Sequence, residues 1–424
     1  MKKIQMYLSA IAISALLVQC EINHYIASGS DKAPSNCKID DDRPQKNLVA
    51  DYGADGTDQE NDSEQLQQAI DEVSAIDGGG TIFIPKGQYY LSEIHLKSNV
   101  HLYFEEGTTV KPIGRKNNKN YSIFYLGINS DVVENVKIAG SCGKFTVDLR
   151  EVENTNVRVI QCGNLDGFVF SDFGVLDKRT KFSAITFGLA SYDGKYFGSR
   201  NGTVKNISAF STHYGYGLVQ AQVAKNVEFK NLYSEGGVTL RLESGETKFN
   251  ELQLEGLGIF DIKAKNIIGE NGNSAVMISP HTIKNGHVNI KNVVANNCGF
   301  AVRIDKGFAN KSQSELGIPP GYFKNPIITN VKATYGATSQ LKWKHWDKYL
   351  DCDSRALLTP NPDEFTNNLG KEIFRGPSIA PILYSASGKG AGYYEATISR
   401  ITKKGFDPTQ KSIITENDKV SCTP

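Results

Sequence analysis

The chain has 424 residues, which is enough for one large domain or two of ordinary size. Its 47 basic and 46 acidic side chains leave a formal net charge of +1, which argues against a nucleic-acid-binding protein, since such proteins are usually basic overall. Glycine (40), tyrosine (19) and phenylalanine (20) are abundant and methionine (3) is scarce, a composition typical of strands and turns rather than of helices.

The first 20 residues have the features of an export signal. Lys2 and Lys3 precede an apolar run at 11–18 that is too short to cross a bilayer. The segment ends in a sequence similar to a bacterial lipoprotein cleavage box, which leaves open whether a lipid on Cys20 attaches the protein to a membrane. Residues 21–45 are polar and predict a flexible tether. We therefore expect a bacterial protein that is secreted or held at the cell surface, an outer-membrane lipoprotein in the second case.

The cysteines are compatible with an oxidising compartment. If Cys20 is lipidated or removed, an even number remains, as is typical of proteins that form disulfides. None of them shows the close spacing of a zinc site, so disulfides or free thiols are expected. The seven are Cys20, Cys37, Cys142, Cys162, Cys298, Cys352 and Cys422.

An amphipathic helix is predicted near the start of the domain, which we place at 46–424. The helix would span 64–73, with an N-cap at one of residues 61–63, and the glycines 78–80 would end it. Its apolar face is formed by residues at i, i+4 and i+7, namely Leu66, Ile70 and Val73. The order of helix, three glycines and a strand resembles the start of the pectin-lyase-type right-handed parallel β-helix. There the helix would cover the open end of the stack, where unpaired strand edges promote aggregation.

A short repeat supports this solenoid fold. An asparagine followed by an aliphatic residue recurs inside short apolar strands, with two steps of about 25 residues and longer ones between. A Greek-key sandwich has similar strand spacing but does not explain the recurring asparagine. We therefore predict an all-β protein, a single-stranded right-handed parallel β-helix (solenoid) with an N-terminal capping helix. The repeated asparagines are Asn206, Asn231, Asn266, Asn292 and Asn330.

The region after about residue 306 differs from the repeats, and we expect it to form the last coils with long loops. It contains both tryptophans, Trp343 and Trp346, in the sequence Lys-Trp-Lys-His-Trp. Aromatic rings beside cations suit an anionic sugar chain. The alternative is a hydrophobic cap over the end of the solenoid, and the sequence does not decide between them.

The strand at 238–243 is the best candidate for an active site. Its apolar residues alternate with polar ones, so Arg241 and Glu243 project from one side at about 7 Å along the strand. An ordinary salt bridge on the outer face is the simpler explanation. If Glu243 faces a groove instead, Glu243→Gln should remove activity with little change in melting temperature.

Three neighbouring motifs and this strand together resemble the iota-carrageenases, glycoside hydrolase family 82. The motifs are Gly-Tyr-Gly-Leu-Val-Gln at 215–220, Gly-Gly-Val-Thr-Leu-Arg-Leu-Glu at 236–243, Ser-Pro-His at 279–281 and Ala-Val-Arg at 301–303. The resemblance covers about 193–308 and implies an inverting endohydrolase that cuts β-1,4 bonds in a sulfated galactan, iota-carrageenan. It implies no required cofactor, and we expect a monomer.

The resemblance also implies roles for single residues. Glu243 would be the general acid, and Gln220 would help to hold the water or a bound chloride. His281 would line the cleavage subsite. Arg241 and Arg303 would bind sulfates through charge-assisted hydrogen bonds.

One position departs from the family. The family pattern continues Glu-x-Asp, and the aspartate is the base that activates water, but this chain has Gly245 there. Side chains two residues apart on a strand are separated by about 7 Å, which is within the roughly 6.5–9.5 Å that separates the two carboxyl groups of an inverting glycosidase. Three explanations stay open. Glu246 replaces the base, or Asp261 or Asp305 on a neighbouring coil does, or the protein has lost hydrolysis and binds carrageenan.

Two further alternatives concern metals and substrates. Asp172, Asp177 and Asp193 lie in turn-like contexts that could bind calcium, but no dense ligand pattern is present, so no metal is assigned. A pectinase, either hydrolase or lyase, could share the fold. Against it, the paired aspartates of the polygalacturonases are missing.

Overall fold

The computed structural model describes residue 39 and residues 41–422, apart from 116, 179 and 361–372. The predicted export signal, Cys20 and most of the predicted tether lie outside these residues. The described chain winds into the predicted right-handed parallel β-helix, with a 23-stranded set of paired strands that forms three sheets along the axis. Among the described residues, no helix is both long and apolar enough to cross a membrane.

The first sheet carries the candidate site. Its strands pair in parallel, each with the equivalent strand of the next coil. They are Ile94–Leu96, Tyr121–Leu126, Val157–Cys162, Ile185–Phe187, the ends 219–221 and 238–243 of two long strands, Ser274–Ser279, Phe300–Ile304, Ala380–Tyr384 and Ile413–Ile414.

The second and third sheets are formed by long strands that bend at a corner. These are Val133–Ser141, Leu165–Leu176, Ser199–Ala221, Ala224–Glu243, Ile262–Glu270, Val288–Asn296, Ile327–Thr334 and Thr397–Lys404. Shorter strands complete the second sheet, namely Gln45–Asn47, Gly80–Ile84, Val100–Glu105 and Ile259–Phe260, and the third, namely Gln88–Leu91, Thr109–Pro112 and Phe145–Asp148. Outside the solenoid are the strands Ala190–Tyr192, Lys195–Phe197, Lys284–Asn285, Tyr322–Phe323, Ser339–Lys342, Thr359–Pro360 and Ile373–Gly376.

The repeated asparagines form the corner between these two sheets, which we call the Asn ladder. Each has a left-handed backbone, with φ between 53° and 59°, a conformation that asparagine tolerates better than most residues. From Asn231 onward, the side-chain amide of each donates to the amide oxygen of the previous one at 2.7–2.9 Å. The prediction of one recurring asparagine position is therefore confirmed.

The interior is apolar along the whole axis. Phenylalanine rings of successive coils stack on one another, as Phe104 does on Phe145 at 4.3 Å between ring centroids and Phe145 on Phe173 at 5.0 Å. The predicted capping helix is Ser63–Ser74, with Leu66, Ile70 and Val73 fully buried against the first coil. Shorter helices are Leu48–Tyr52, Thr247–Leu252, Lys311–Glu315 and Trp343–Tyr349. The 3-10 helices are Asp353–Leu357 and Glu416–Asp418.

The ordered chain starts earlier than the predicted tether boundary at residue 45. Asp41 is paired with both Arg43 and His101 at 2.8 Å, and Arg43 donates to the Asn99 carbonyl at 2.9 Å. The carbonyl of Pro44 accepts from the Thr81 amide. Polar residues in this segment thus anchor the chain to the first coil, so the part of the tether from residue 41 onward was predicted wrongly.

Disulfides are formed, as the even number of cysteines predicted. Cys352 and Cys422 are bonded and join the loop region after 306 to the end of the chain. Cys142 is also disulfide-bonded. Cys162 and Cys298 are free and buried.

Candidate active site

One column of side chains runs along the outer face of the first sheet. Strand register places one residue of each successive coil in this column, so that the side chains project in the same direction. The column is His95, Tyr125, Gln161, Thr186, Gln220, Arg241, Met277 and Arg303. At a strand spacing of about 4.8 Å its length is about 34 Å, long enough for several sugar units of a chain. Gln220, Arg241 and Arg303, which the sequence singled out, are therefore brought together on one surface.

Glu243 lies beside this column, at the end of the strand Ala224–Glu243, and its side chain is 13% exposed. Its carboxylate forms an ion pair and hydrogen bond with Arg241. Gln220 donates to the same oxygen, Oε2, at 3.3 Å, and Nε2 of His281 lies 3.4 Å from Oε1. Three of the predicted site residues thus contact the predicted acid directly.

These contacts determine the charge of Glu243. Burial acts to raise the pKa of its carboxyl, but the guanidinium of Arg241, the contact with His281 and the ammonium of Lys342 together hold that pKa below its ordinary value. Glu243 is therefore ionised in the substrate-free protein. The salt bridge with Arg241 that the sequence offered as the simpler explanation is present, and it lies on the outer face of the first sheet.

The arginines of the column have donor atoms left over. Arg241 is 6% exposed, yet its Nε and Nη1 are buried without a hydrogen-bond partner among the described residues. Arg303 is fully buried and donates to Asn273 and Asp305 at 2.8 and 2.7 Å, while its Nε is likewise unpartnered. Buried donors without acceptors are unfavourable, so these atoms are suited to an anionic ligand.

His281 occupies the space next to Gly245. It has a left-handed backbone, with φ of 50°, and its ring contacts that of Phe308 at 4.5 Å between centroids. A Cβ added at Gly245 would lie 3.0 Å from His281 Nε2. His281 is therefore both a turn residue and a neighbour of Glu243, and it partly fills the volume of the side chain that Gly245 lacks.

Two of the three candidates for a second carboxylate are placed unfavourably. Glu246 accepts the backbone amides of Lys248 and Phe249 and so caps the helix Thr247–Leu252. Asp261 lies at a bend before the second-sheet strand Ile262–Glu270, in a shallow depression away from the first sheet. Neither position favours a role as the base, because Glu246 caps a helix and Asp261 belongs to another face.

Asp305 lies on the same face as Glu243. Glu243 pairs with Ser279, and the next strand places Ile304 opposite Ile278, so Asp305 follows in register with Ser279. The two carboxylate residues are therefore two strand spacings apart, about 9–10 Å between their backbones. This is close to the upper end of the roughly 6.5–9.5 Å range that an inverting pair of carboxyl groups needs.

The segment after Ser339 crosses over this surface. Its Gln340 accepts from the Gly237 amide at 2.6 Å and donates to the Thr212 carbonyl at 3.3 Å. Lys342 follows, with its ammonium 5.6 Å from the Tyr214 ring centroid. Burial lowers the pKa of Lys342 well below its ordinary value, and the cations Arg303, Lys344 and Arg241 act in the same direction.

The two tryptophans have different environments. Trp346 packs edge-on against Phe374 at 5.1 Å in the core of the C-terminal cap, with Arg355 over its ring at 5.8 Å. Its predicted role in substrate binding was wrong, since the ring is used in the cap. Trp343 is 36% exposed and directly follows Lys342, so its position is compatible with the predicted role.

The sequence-based analysis missed several residues around Glu243. Lys344 is exposed as a whole residue, but desolvation of its ammonium group lowers the pKa of Lys344. The nearby carboxylates of Asp305 and Glu243 oppose this shift. Gln340 and Asn273, which hold the covering segment and Arg303, were also not predicted. An isolated polar residue gives no sign in the sequence that it belongs to the site, because only the register of the coils shows which residues share a surface.

The predicted calcium candidates have other contacts. Asp172 accepts from Asn206 at 2.8 Å, and Asp177 is buried and accepts from Thr180, with a pKa that burial raises to about 6. Asp193 lies in the turn of the hairpin formed by Ala190–Tyr192 and Lys195–Phe197. Among the described residues, no group of three or more His, Cys, Asp or Glu side chains is arranged to hold a metal ion.

Known proteins are similar to this chain over nearly its whole length. An iota-carrageenase of Zobellia galactanivorans is 32% identical over 468 residues, covering 94% of this chain and 93% of that protein. A solved structure of a 1,3-alpha-1,4-beta-D-galactose-4-sulfate-3,6-anhydro-D-galactose-2-sulfate 4 galactohydrolase has a TM-score of 0.84 at 30% identity, covering 92% of this chain and 93% of that one. An iota-carrageenase complexed to iota-carrageenan fragments has a TM-score of 0.81 at 29% identity, covering 92% and 93%.

A family model of the rhamnogalacturonase A/epimerase, pectate lyase-like type also matches residues 47–166, the capping helix and first coils. Relatives at about 30% identity over nearly the whole chain are glycoside hydrolases, so this parallel β-helix belongs to a glycoside hydrolase. Since it is 32% identical to an iota-carrageenase over nearly all of both chains, the chain belongs to the iota-carrageenase family, glycoside hydrolase family 82.

Proposed function

We propose that this protein hydrolyses β-1,4 bonds of iota-carrageenan with inversion, using Glu243 as general acid and Asp305 as general base. The observation that carries the proposal is the register of Glu243, Ser279 and Asp305 on one face of consecutive coils. The relative solved with iota-carrageenan fragments supports the choice of substrate.

The cations around Glu243 suit a sulfated chain. Arg241 and Arg303 have buried donor atoms without partners among the described residues, and Lys342 brings a further N–H donor on the covering segment. Sulfate esters are acceptors for such charge-assisted hydrogen bonds. A neutral galactan would leave these donors unsatisfied, which makes the site selective for sulfate.

The ion pair of Arg241 with Glu243 gives the arginine a second role. A general acid must carry a proton, whereas Arg241 keeps Glu243 ionised in the free protein. When a substrate sulfate binds Arg241, it competes with Glu243 for the guanidinium, and the pKa of Glu243 rises because burial then dominates. Protonation of the acid is in this way coupled to the binding of a sulfated sugar.

The reaction then needs two proton movements. Glu243 gives its proton to the bridging oxygen as the bond from that oxygen to the sugar C1 breaks. Asp305, which is paired with Arg303, takes a proton from the water that attacks C1 on the opposite face. The products are a free hydroxyl on one fragment and an inverted reducing end on the other.

The donor set around Glu243 also fits a bound chloride. Gln220 and Arg241 Nη2 both donate to Oε2 of Glu243, so a chloride would have to bind Nε and Nη1 of Arg241, which have no acceptor among the described residues. A chloride held there would supply negative charge that keeps Arg241 oriented. We propose no step through it.

The proposal is tested by replacing each candidate base separately. We expect Asp305→Asn to lower kcat on purified iota-carrageenan by about 10²–10⁴-fold, the usual effect of losing a general base, in an assay of new reducing ends. Asp261→Asn is the matched control on another face of the solenoid and should leave kcat unchanged. Sodium azide, a small nucleophile that needs no base, should restore turnover of Asp305→Asn and form a glycosyl azide.

Other outcomes assign other functions. Unchanged kcat in Asp305→Asn would remove Asp305 as the base. Tight binding of iota-carrageenan by the unmodified protein without any product would instead favour a carrageenan-binding protein that has lost hydrolysis at Gly245. Unsaturated products that absorb in the ultraviolet, formed from pectins, would identify a lyase.

A further inference from the structure

Arg158 is a cation on the same face of the solenoid as Glu243, several coils closer to the N-terminus. It lies in the strand Val157–Cys162, between the buried Val157 and Val159, so its side chain projects outward. Its strand is three strand spacings from that of Arg241, and Arg158 lies three residues before Gln161, the residue that this strand contributes to the column of Arg241. This separation of the strands corresponds to about 14 Å along the groove.

A series of aromatic rings connects Arg158 with the site. The guanidinium carbon of Arg158 lies 3.4 Å from the ring centroid of Phe182. The Phe182 ring is 6.0 Å from that of Tyr216, which in turn is 5.2 Å from the guanidinium carbon of Arg241. Both rings are half-buried, so part of each faces the solvent in the groove.

Arg158 differs from most other arginines of the described chain in that no carboxylate pairs with it. Within the part of the chain that the structure describes, it has no ion pair and no hydrogen bond, and its Nε is buried without an acceptor. Arginines elsewhere on the solenoid have such partners: Arg43 with Asp41, Arg115 with Glu93, Arg150 with Asp148, Arg200 with Asp166 and Arg355 with Asp347. A half-buried guanidinium without a counter-ion is unfavourable unless a ligand supplies the anion.

We infer that Arg158, Phe182 and Tyr216 form a remote subsite that binds one sulfated sugar of the galactan chain, with the sulfate ester on Arg158 and the sugar ring against the two aromatic rings. Arginine binds two oxygens of such a group through its planar fork. The aromatic faces provide apolar contact for the C–H groups of a sugar. This inference rests on the proposed function only for the identity of the chain that is bound.

The subsite gives a length-dependent effect that a purely structural arginine would not give. In Arg158→Gln we expect KM for iota-carrageenan to rise about tenfold, the effect of losing one hydrogen-bonded charge, with kcat within about twofold. Oligosaccharides too short to extend from Glu243 to Arg158 should show no change in KM. Arg158→Lys keeps the positive charge but lacks the planar guanidinium that binds two oxygens, and it should give an intermediate KM.

Arg400→Gln is the matched control, because Arg400 is exposed on the strand Thr397–Lys404 outside the first sheet. It removes the same charge and should leave KM unchanged. Equal KM values for Arg158→Gln and the unmodified protein on the polymer would overturn the inference. So would an equal loss in Arg400→Gln, or a KM increase that is the same for short and long substrates.

A binding measurement separates this inference from the proposed hydrolysis. Affinity electrophoresis in gels with iota-carrageenan, or with unsulfated agarose, needs no turnover. Retardation by iota-carrageenan alone, reduced in Arg158→Gln, supports the subsite even if the protein cuts nothing. Retardation that Arg158→Gln does not reduce overturns it even if hydrolysis is confirmed.

Discussion

The Asn ladder and the outer face of the first sheet are both columns of polar side chains in register, but their hydrogen bonding differs. In the ladder, each asparagine amide donates to the previous amide oxygen at 2.7–2.9 Å. On the first sheet, Arg241 and Arg303 of the column and Arg158 beside it keep buried nitrogens without acceptors among the described residues. Since buried polar groups in folded proteins are nearly always paired, the ladder holds the fold together and the unpaired column is suited to a ligand.

The two columns should therefore respond differently to substitution. Changes in the ladder should lower stability without a specific effect on catalysis, because its partners are all within the chain. Changes in the first-sheet column should alter catalysis or substrate affinity. Their effect on stability should depend on whether an ion pair is broken.

The largest effect is expected for Glu243→Gln. We expect the rate on iota-carrageenan to fall by at least about 10²-fold, because no acid remains to protonate the leaving oxygen. The variant should also lose about 1–3 kcal/mol of stability in chemical denaturation, because Arg241 is buried and loses its carboxylate. Full activity in Glu243→Gln would mean that Glu243, like the Asn ladder, serves stability rather than catalysis.

The pH dependence of stability isolates the ion pair of Glu243. Its pKa in the folded protein lies below the ordinary value, so the stabilisation is present above the unfolded pKa of about 4.3 and is lost as pH falls through the folded pKa. The stability difference between the unmodified protein and Glu243→Gln should thus be full at pH 7 and shrink below about pH 4. A difference that is the same at pH 7 and pH 3 would contradict the ion-pair explanation.

A ladder substitution, Asn266→Ala, is expected to have its main effect on stability. It removes the bonds to Asn231 and from Asn292 and places alanine at a φ of 58°. Together these should cost about 2–4 kcal/mol in urea unfolding. The kcat per folded molecule should stay the same.

Asn266→Gly is the control for this substitution. Glycine adopts the left-handed conformation without strain but makes no side-chain hydrogen bond, so it should lose less stability than alanine. If both variants are as stable as the unmodified protein, the ladder is not the stabilising column.

The smallest effect is expected for Glu246→Ala. Loss of this helix cap should cost about 1 kcal/mol of stability, with no change in kcat, because Glu246 faces the helix Thr247–Leu252 rather than the groove. Thermal unfolding and the reducing-end assay measure the two quantities. A loss of activity that exceeds the loss of folded protein would restore Glu246 as a candidate base.

Part of the site could be predicted from the sequence and part could not. The alternation in 238–243 was enough to place Arg241 and Glu243 on one face, because neighbours along a strand have a fixed geometry. For the base, the sequence left open Glu246, a carboxylate on a neighbouring coil (Asp261 or Asp305), or the loss of hydrolysis. The positions of these carboxylates are distinguished by the strand pairing, which depends on loop lengths that no local pattern reports.

The recurring asparagine and the capping helix were enough to predict the solenoid, since both follow from short-range backbone and packing preferences. The residue types available for chemistry are also evident from the chain alone. The sequence left open whether Glu243 is ion-paired and whether Trp346 belongs to the cap, and it did not indicate that Arg158 has no counter-ion among the described residues. These depend on contacts between distant parts of the chain, and burial makes their electrostatic consequences large.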